Sequence, residues 1–250
     1  LPYYFLSTKE WSLKKYPWLD FPQMQKLGFE LPLLLQKEES FYQWGESTGL
    51  YFYAKQRPPS GVIYSFHAQY GPLRDELSHR LLKDLQASPP ELVLVDRRRA
   101  FFGPVPNWIM ENYVPLPKLK QRWKLIFFGR KGGRLASLYG PPKGLEPLWQ
   151  PLKEKTKWTF TERTFVYAIA FNYSLPESSL APKCKFTWSN GGKQKEQGAV
   201  LEAGVAEKSY LFWIWDELSE LNFSLEKEGP KLKIHKVRAL TFPRGNPVPH

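Results

Sequence analysis

Cysteine is nearly missing from this chain: Cys184 is the single thiol in 250 residues. That excludes an intramolecular disulfide and any zinc site built from cysteines. The compartment stays open, because a chain of this length does not need disulfide staples. Histidine is also scarce, with His67, His79, His235 and His250 the whole set, and none has a metal-spaced partner at i+2 or i+4. Long apolar runs are absent. The best two, 165–171 and 210–215, are of strand length, against about 18 residues for a bilayer-crossing helix. The chain has no initiator Met and no signal-like start. It opens abruptly on Leu1-Pro-Tyr-Tyr-Phe5, which suggests an excised fragment with a region removed upstream.

Aromatic and basic residues are abundant. There are 10 Trp, 13 Tyr and 17 Phe, and hydrophobic residues make up 42%, enough for real cores. Aromatics supply buried area, and exposed ones make flat stacking platforms. The net charge is +12 with a pI near 9.6, which favours anionic partners. The charge is evenly divided, with 18 basic and 12 acidic residues on each side of position 130. A nucleic-acid arm concentrates charge, so a nucleic-acid partner is not expected and a basic surface beside a membrane fits better.

The pattern predicts two parts. Residues 1–130 read as an α/β domain. A helix after Asp20-Phe-Pro22 carries Met24, Leu27, Leu31 and Leu34 and should end or kink near Pro32. Strands are expected at 40–44, 62–66 and 91–95. Helices are expected at 46–56 and, most clearly, 72–87, where Leu73, Leu77, Leu81 and Leu85 repeat every four residues. That order predicts a small, mainly parallel sheet with covering helices. Residues 131–145, rich in Gly and Pro, read as a linker. Gly129-Arg-Lys-Gly-Gly133 lacks the full phosphate-loop pattern. Residues 146–250 hold short β-rich segments separated by turn signals, which predicts an all-β sandwich or jelly roll.

No constellation for nucleophilic, metal or paired-carboxylate catalysis is placed by these motifs, so no catalytic residue, metal or cofactor is assigned. Cys184 reads as a buried strand cysteine. Arg97, Arg98 and Arg99 follow a predicted strand end, where ligands of open α/β sheets gather, and could grip a phosphate. His67, at the next predicted strand end, could line a pocket; Trp44 and Arg57 complete the ligand-binding candidates. Trp158, Trp188, Trp213 and Trp215 are candidate sugar platforms if exposed. Asn172 and Asn222 head N-glycosylation patterns, but on predicted strands.

An ordered series of motifs runs through the first half. Tyr3-Tyr-Phe5, Tyr16-Pro17 and Phe21-Pro22 are followed by Phe41-Tyr-Gln-Trp-Gly45 and Leu50-Tyr-Phe-Tyr53. Arg57-Pro-Pro-Ser60, the 74–85 helix, Ser88-Pro-Pro90 and Leu92-Val-Leu-Val-Asp96 complete the series. This resembles the soluble tail after the last membrane helix in bacterial members of the dolichyl-phosphate-mannose–protein mannosyltransferase superfamily. The resemblance implies an inverting, polyprenyl-phosphate-sugar-dependent membrane glycosyltransferase whose catalytic carboxylates lie upstream of Leu1. The fragment would then be a non-catalytic domain on the extracytoplasmic (periplasmic) face of the inner membrane, tethered through its own upstream transmembrane region. Its expected partners are a polyprenyl-phosphate sugar, an acceptor glycan or protein, and an anionic membrane surface. A free-standing carbohydrate- or polyanion-binding module is the alternative.

Overall fold

The protein is mixed α/β and rich in strands. The computed structural model describes residues 7–15, 21–96, 103–117, 119, 125–141, 148–152, 157–176, 183–190, 192–201, 205–225 and 232–241. Two compact units emerge. Unit 1 holds Leu1–Asp96 and Trp108–Gly140, and unit 2 holds Arg97–Asn107 and Pro141–His250.

In unit 1, α1 (Thr8–Lys15) and α2 (Phe21–Leu34) precede β1 (Phe41–Trp44), α3 (Gly49–Ala54), α4 (Arg74–Ala87) and β2 (Leu92–Asp96). Then come α5 (Pro104–Asn112), which begins among unit 2 residues, β3 (Tyr113–Pro115), β4 (Leu125–Arg130) and α6 (Arg134–Tyr139). The sheet order is β1-β2-β4-β3. Only β1 and β2 run parallel; β2–β4 and β3–β4 are antiparallel. The expected mainly parallel sheet is therefore a mixed one.

The missing parallel strand explains the difference. Residues 62–66 do not extend. Their backbone closes turns on itself, with His67 N donating to Tyr64 O at 3.2 Å and Ala68 N to Ser65 O at 3.1 Å. The segment is held to β1 by side chains, Tyr42 Oη donating to Val62 O at 3.1 Å. The helix expectation at α2 is also extended, since it continues past Pro32 to Leu34. Proline there lacks only the donor to Gly28, and Leu35 N still closes the last turn on Leu31 O at 3.0 Å.

One apolar layer packs α2, α3 and α6 on the sheet through Met24, Leu27, Leu31, Phe41, Leu92 and Phe127. The two helices approach closely because Gly28 has no side chain; a Cβ there would collide with the Cβ of Tyr53. The Gly-rich stretch around 129–134 is a strand–turn–helix rather than a linker. Gly132 takes φ +75° and Gly133 caps α6, with Glu91 pressed against it.

Unit 2 contains β5 (Leu148–Leu152), β6 (Lys157–Leu175), β7 (Lys183–Asn190), β8 (Lys193–Val200), β9 (Val205–Leu225) and β10 (Lys233–Thr241). All six lie in one antiparallel sheet of order β5-β10-β6-β9-β7-β8. The expected sandwich of two sheets becomes a single curled sheet among the described residues. Segments expected as separate short strands, 157–161 with 164–171 and 209–215 with 221–225, join into two long strands, with register shifts between Thr159 and Thr164 and between Val166 and Ala168. Such bulges bend a strand and raise its twist without ending it. The core is aromatic: Phe171 stacks with Phe212 at 5.7 Å, and Phe186 meets Phe212 edge-on at 4.8 Å. Cys184 is buried there as expected, and burial pushes its thiol up to about 12.

Candidate functional site

The carboxyl ends of the parallel pair β1–β2 are where open α/β sheets gather ligands, and unit 1 places an unusual polar group there. Alternation along β1 puts Gln43 on the same face as Phe41. Gln43 is fully buried, and neither atom of its carboxamide has a hydrogen-bond partner. Its backbone N donates to Tyr51 Oη at 2.9 Å, and burial raises that phenol well above its ordinary value. β1 then stops at Gly45. A Cβ at this position would collide with the Gln43 amide nitrogen and lie 2.9 Å from the Cβ of Asp96, the buried last residue of β2. Ser47 is also buried, and its Oγ has no partner.

A second segment closes over this strand end. Ser65 Oγ donates to Gly45 O at 3.1 Å, and Gln69 Nε2 donates to Ser65 O at 3.3 Å. Ser65, Ala68 and Gln69 are the inner row and are buried. The outer row faces solvent: Tyr64 is 38% exposed, Phe66 39% and Tyr70 42%, with His67 among them. The His67 ring lies 5.8 Å from both Tyr64 and Phe66, and Phe66 lies 4.9 Å from Tyr70. The result is an aromatic shelf at the strand end where the polar side chains of Gln43, Ser47, Ser65, Gln69 and Asp96 are buried and form a polar floor to that end of the sheet. A shelf of this kind can stack on an apolar ring face while the floor offers donors and acceptors.

Of the residues singled out from the sequence, His67 belongs to this shelf. Trp44 is buried to 1% exposure and offers no stacking face. Arg57 is exposed but stands at the other end of β1, where Gln56 Nε2 reaches Glu39 O at 3.5 Å. Arg97, Arg98 and Arg99 lie outside the described residues; the chain enters them from Asp96. Trp158, Trp188 and Trp213 are core residues at 4–6% exposure and present no platform; the Trp215 side chain is outside the described set.

Gln43, Ser47, Gln69 and Asp96 escaped the sequence reading. The usable signal was one polar residue inside the aromatic strand Phe41-Tyr-Gln-Trp44. Also passed over is Gly45-Glu-Ser-Thr-Gly49, a Gly-x-Ser-x-Gly match between a strand and a helix. Its geometry is not that of a nucleophile elbow. Ser47 does not take the positive φ of a strained turn, Lys55 being the only non-glycine with one among the described residues, and no base reaches its Oγ.

The Gly-rich turn before α6 is no phosphate cradle either. Its anion position is filled from within, since Leu135 N donates to Glu91 Oε1 at 2.7 Å and Arg130 Nη2 approaches Glu91 Oε2 at 3.4 Å. Nearby, Arg134 forks onto Glu39 at 2.9 and 2.6 Å. That hydrogen-bonded fork holds the Glu39 carboxyl below its usual range. Among the described residues there is no cluster of three or more metal-ligating side chains, and no helix is long and apolar enough to cross a membrane. No protein-family profile, curated protein or solved structure matches this chain.

Proposed function

We propose that this chain is a non-catalytic, extracytoplasmic part of a polyprenyl-phosphate-sugar-dependent membrane glycosyltransferase. In this role unit 1 offers its aromatic shelf to the acceptor glycan or to the sugar of the lipid-linked donor. The observation that carries the proposal is the pairing, at the same end of a parallel strand pair, of an unpartnered buried Gln43 carboxamide with four exposed rings. A buried amide without partners costs about 1–3 kcal/mol, and such a cost is retained where a ligand supplies the missing hydrogen bonds. A sugar suits both layers, with an apolar ring face for the shelf and hydroxyls for the floor. The Ser65–Gly45 hydrogen bond, worth about 1 kcal/mol, is one a sugar hydroxyl can replace. The ordered motifs of the first half support the family reading, which assigns the catalytic carboxylates to a membrane region upstream. The free-standing carbohydrate module loses its tryptophan platforms, because the described ones are core.

The test is an NMR titration of the chain with methyl glycosides of mannose, glucose, galactose and N-acetylglucosamine. At least one should shift the ring signals of Tyr64, Phe66, His67 and Tyr70 and the Gln43 side-chain amide, and Phe66→Ala with Tyr70→Ala should abolish the shifts. Shifts confined to other residues, or none with any glycoside, would sink the sugar reading.

A further inference from the structure

A second exposed apolar surface lies on unit 1, on the helices that cover its sheet. Phe29 and Leu33 stand four residues apart on one face of α2, and Leu33 is 88% exposed. Phe52 on α3 is 79% exposed. The Tyr53 ring joins them, 5.8 Å from Phe29 and 5.3 Å from Phe52. The close approach at Gly28 locks α2 against α3, so the protruding side chains cannot fold back into the core. Beside them an open groove of about 310 Å³ is walled by Leu27, Leu31, Leu33, Leu34 and Phe127, with half-buried Glu30 among the apolar residues. Exposed lysines flank the surface: Lys26 one turn before Phe29, Lys37 just beyond α2, and Lys55 three residues after Phe52. Glu38 is the exposed acid of the same stretch.

We infer that this face docks on an anionic bilayer, with Phe29, Leu33 and Phe52 entering the boundary between headgroups and acyl chains and the groove receiving acyl carbons. Exposed apolar side chains flanked by three lysines, on a chain of net charge +12, form the complement of a negatively charged lipid surface. The inference extends the membrane-borne reading above but uses other residues. Vesicle binding is measured without glycoside and shelf shifts without lipid, so either can fail alone.

The experiment is co-sedimentation of the chain with vesicles of phosphatidylcholine alone and of phosphatidylglycerol and phosphatidylcholine mixed one to one. Binding should require phosphatidylglycerol. Leu33→Ser with Phe52→Ser should weaken it by about ten-fold or more, and Lys26→Glu with Lys55→Glu by about ten-fold. Leu73→Ser, at an exposed leucine outside this face, should leave it unchanged. Absence of binding, or equal binding by the Leu33/Phe52 variant, would overturn the inference. So would a dimer in sedimentation velocity that this variant dissolves while vesicles stay unbound, because the occupant would then be a second copy.

Discussion

Unit 2 buries its described aromatics around a fully engaged carboxylate, whereas unit 1 exposes rings and leaves buried polar groups unpartnered at one end of its sheet. In unit 2 the buried Asp216 accepts from Trp188 Nε1 at 2.9 Å, Lys195 Nζ at 2.6 Å and Glu217 N at 3.1 Å. In unit 1 the buried Gln43 amide and Ser47 hydroxyl have no partners, while Tyr64, Phe66 and Tyr70 face water. A carboxylate saturated by three donors in an aromatic core contributes to stability. Unsaturated groups at the same strand end as exposed rings are the features on which the proposed binding role rests.

That contrast can be broken at several points, in order of expected effect. Phe186→Ala empties a fully buried ring site in contact with Phe212, Phe171 and Phe223. It should cost about 3–5 kcal/mol in chemical denaturation, and a loss below about 1 kcal/mol would mean that the unit 2 core is loosely packed. Asp216→Ala strands the Trp188 indole donor in that core and should cost about 1–3 kcal/mol, unlike polar removals in the unit 1 floor. Gly28→Ala gains up to about 1 kcal/mol of helix propensity, but its Cβ collides with Tyr53. Overpacking of about 1–3 kcal/mol should outweigh the gain, so the variant should melt lower; a higher melting temperature would contradict the fixed α2–α3 contact.

A smaller effect is expected at Glu39. Its carboxyl is held below the ordinary value of 4.5 chiefly by the Arg134 hydrogen bonds. A depressed folded pKa contributes stability that is present above the ordinary value and lost as pH falls below it. Glu39→Gln should therefore reduce stability near neutral pH and flatten its decline below about pH 4.5. An unchanged acid limb would show that the fork contributes nothing.

Local pattern made the strongest elements legible. The four-residue leucine repeat appears as α4, and the apolar run ending at Asp96 appears as β2. What stayed hidden depends on partners distant in sequence. β8, Lys193–Val200, is a mostly exposed and highly polar edge strand recognisable only through its pairing with β7. The continuity of β6 and β9 through their bulges is set by register with each other. Residues 62–66 have strand-like composition but turn, because their backbone groups find local acceptors at the edge of β1. The site was half legible for the same reason. His67 stood out as a chemical type, while Gln43 matters only because burial leaves it unpartnered.

Gln43→Leu tests the central claim most directly. Leucine keeps the approximate size and removes the two unpaired amide atoms. The denaturation midpoint should hold or rise, by on the order of 1 kcal/mol, while glycoside-induced shifts at Tyr64, Phe66, His67 and Tyr70 vanish. A destabilised variant, or one that still answers to the glycoside, would contradict a binding role for the floor of unit 1.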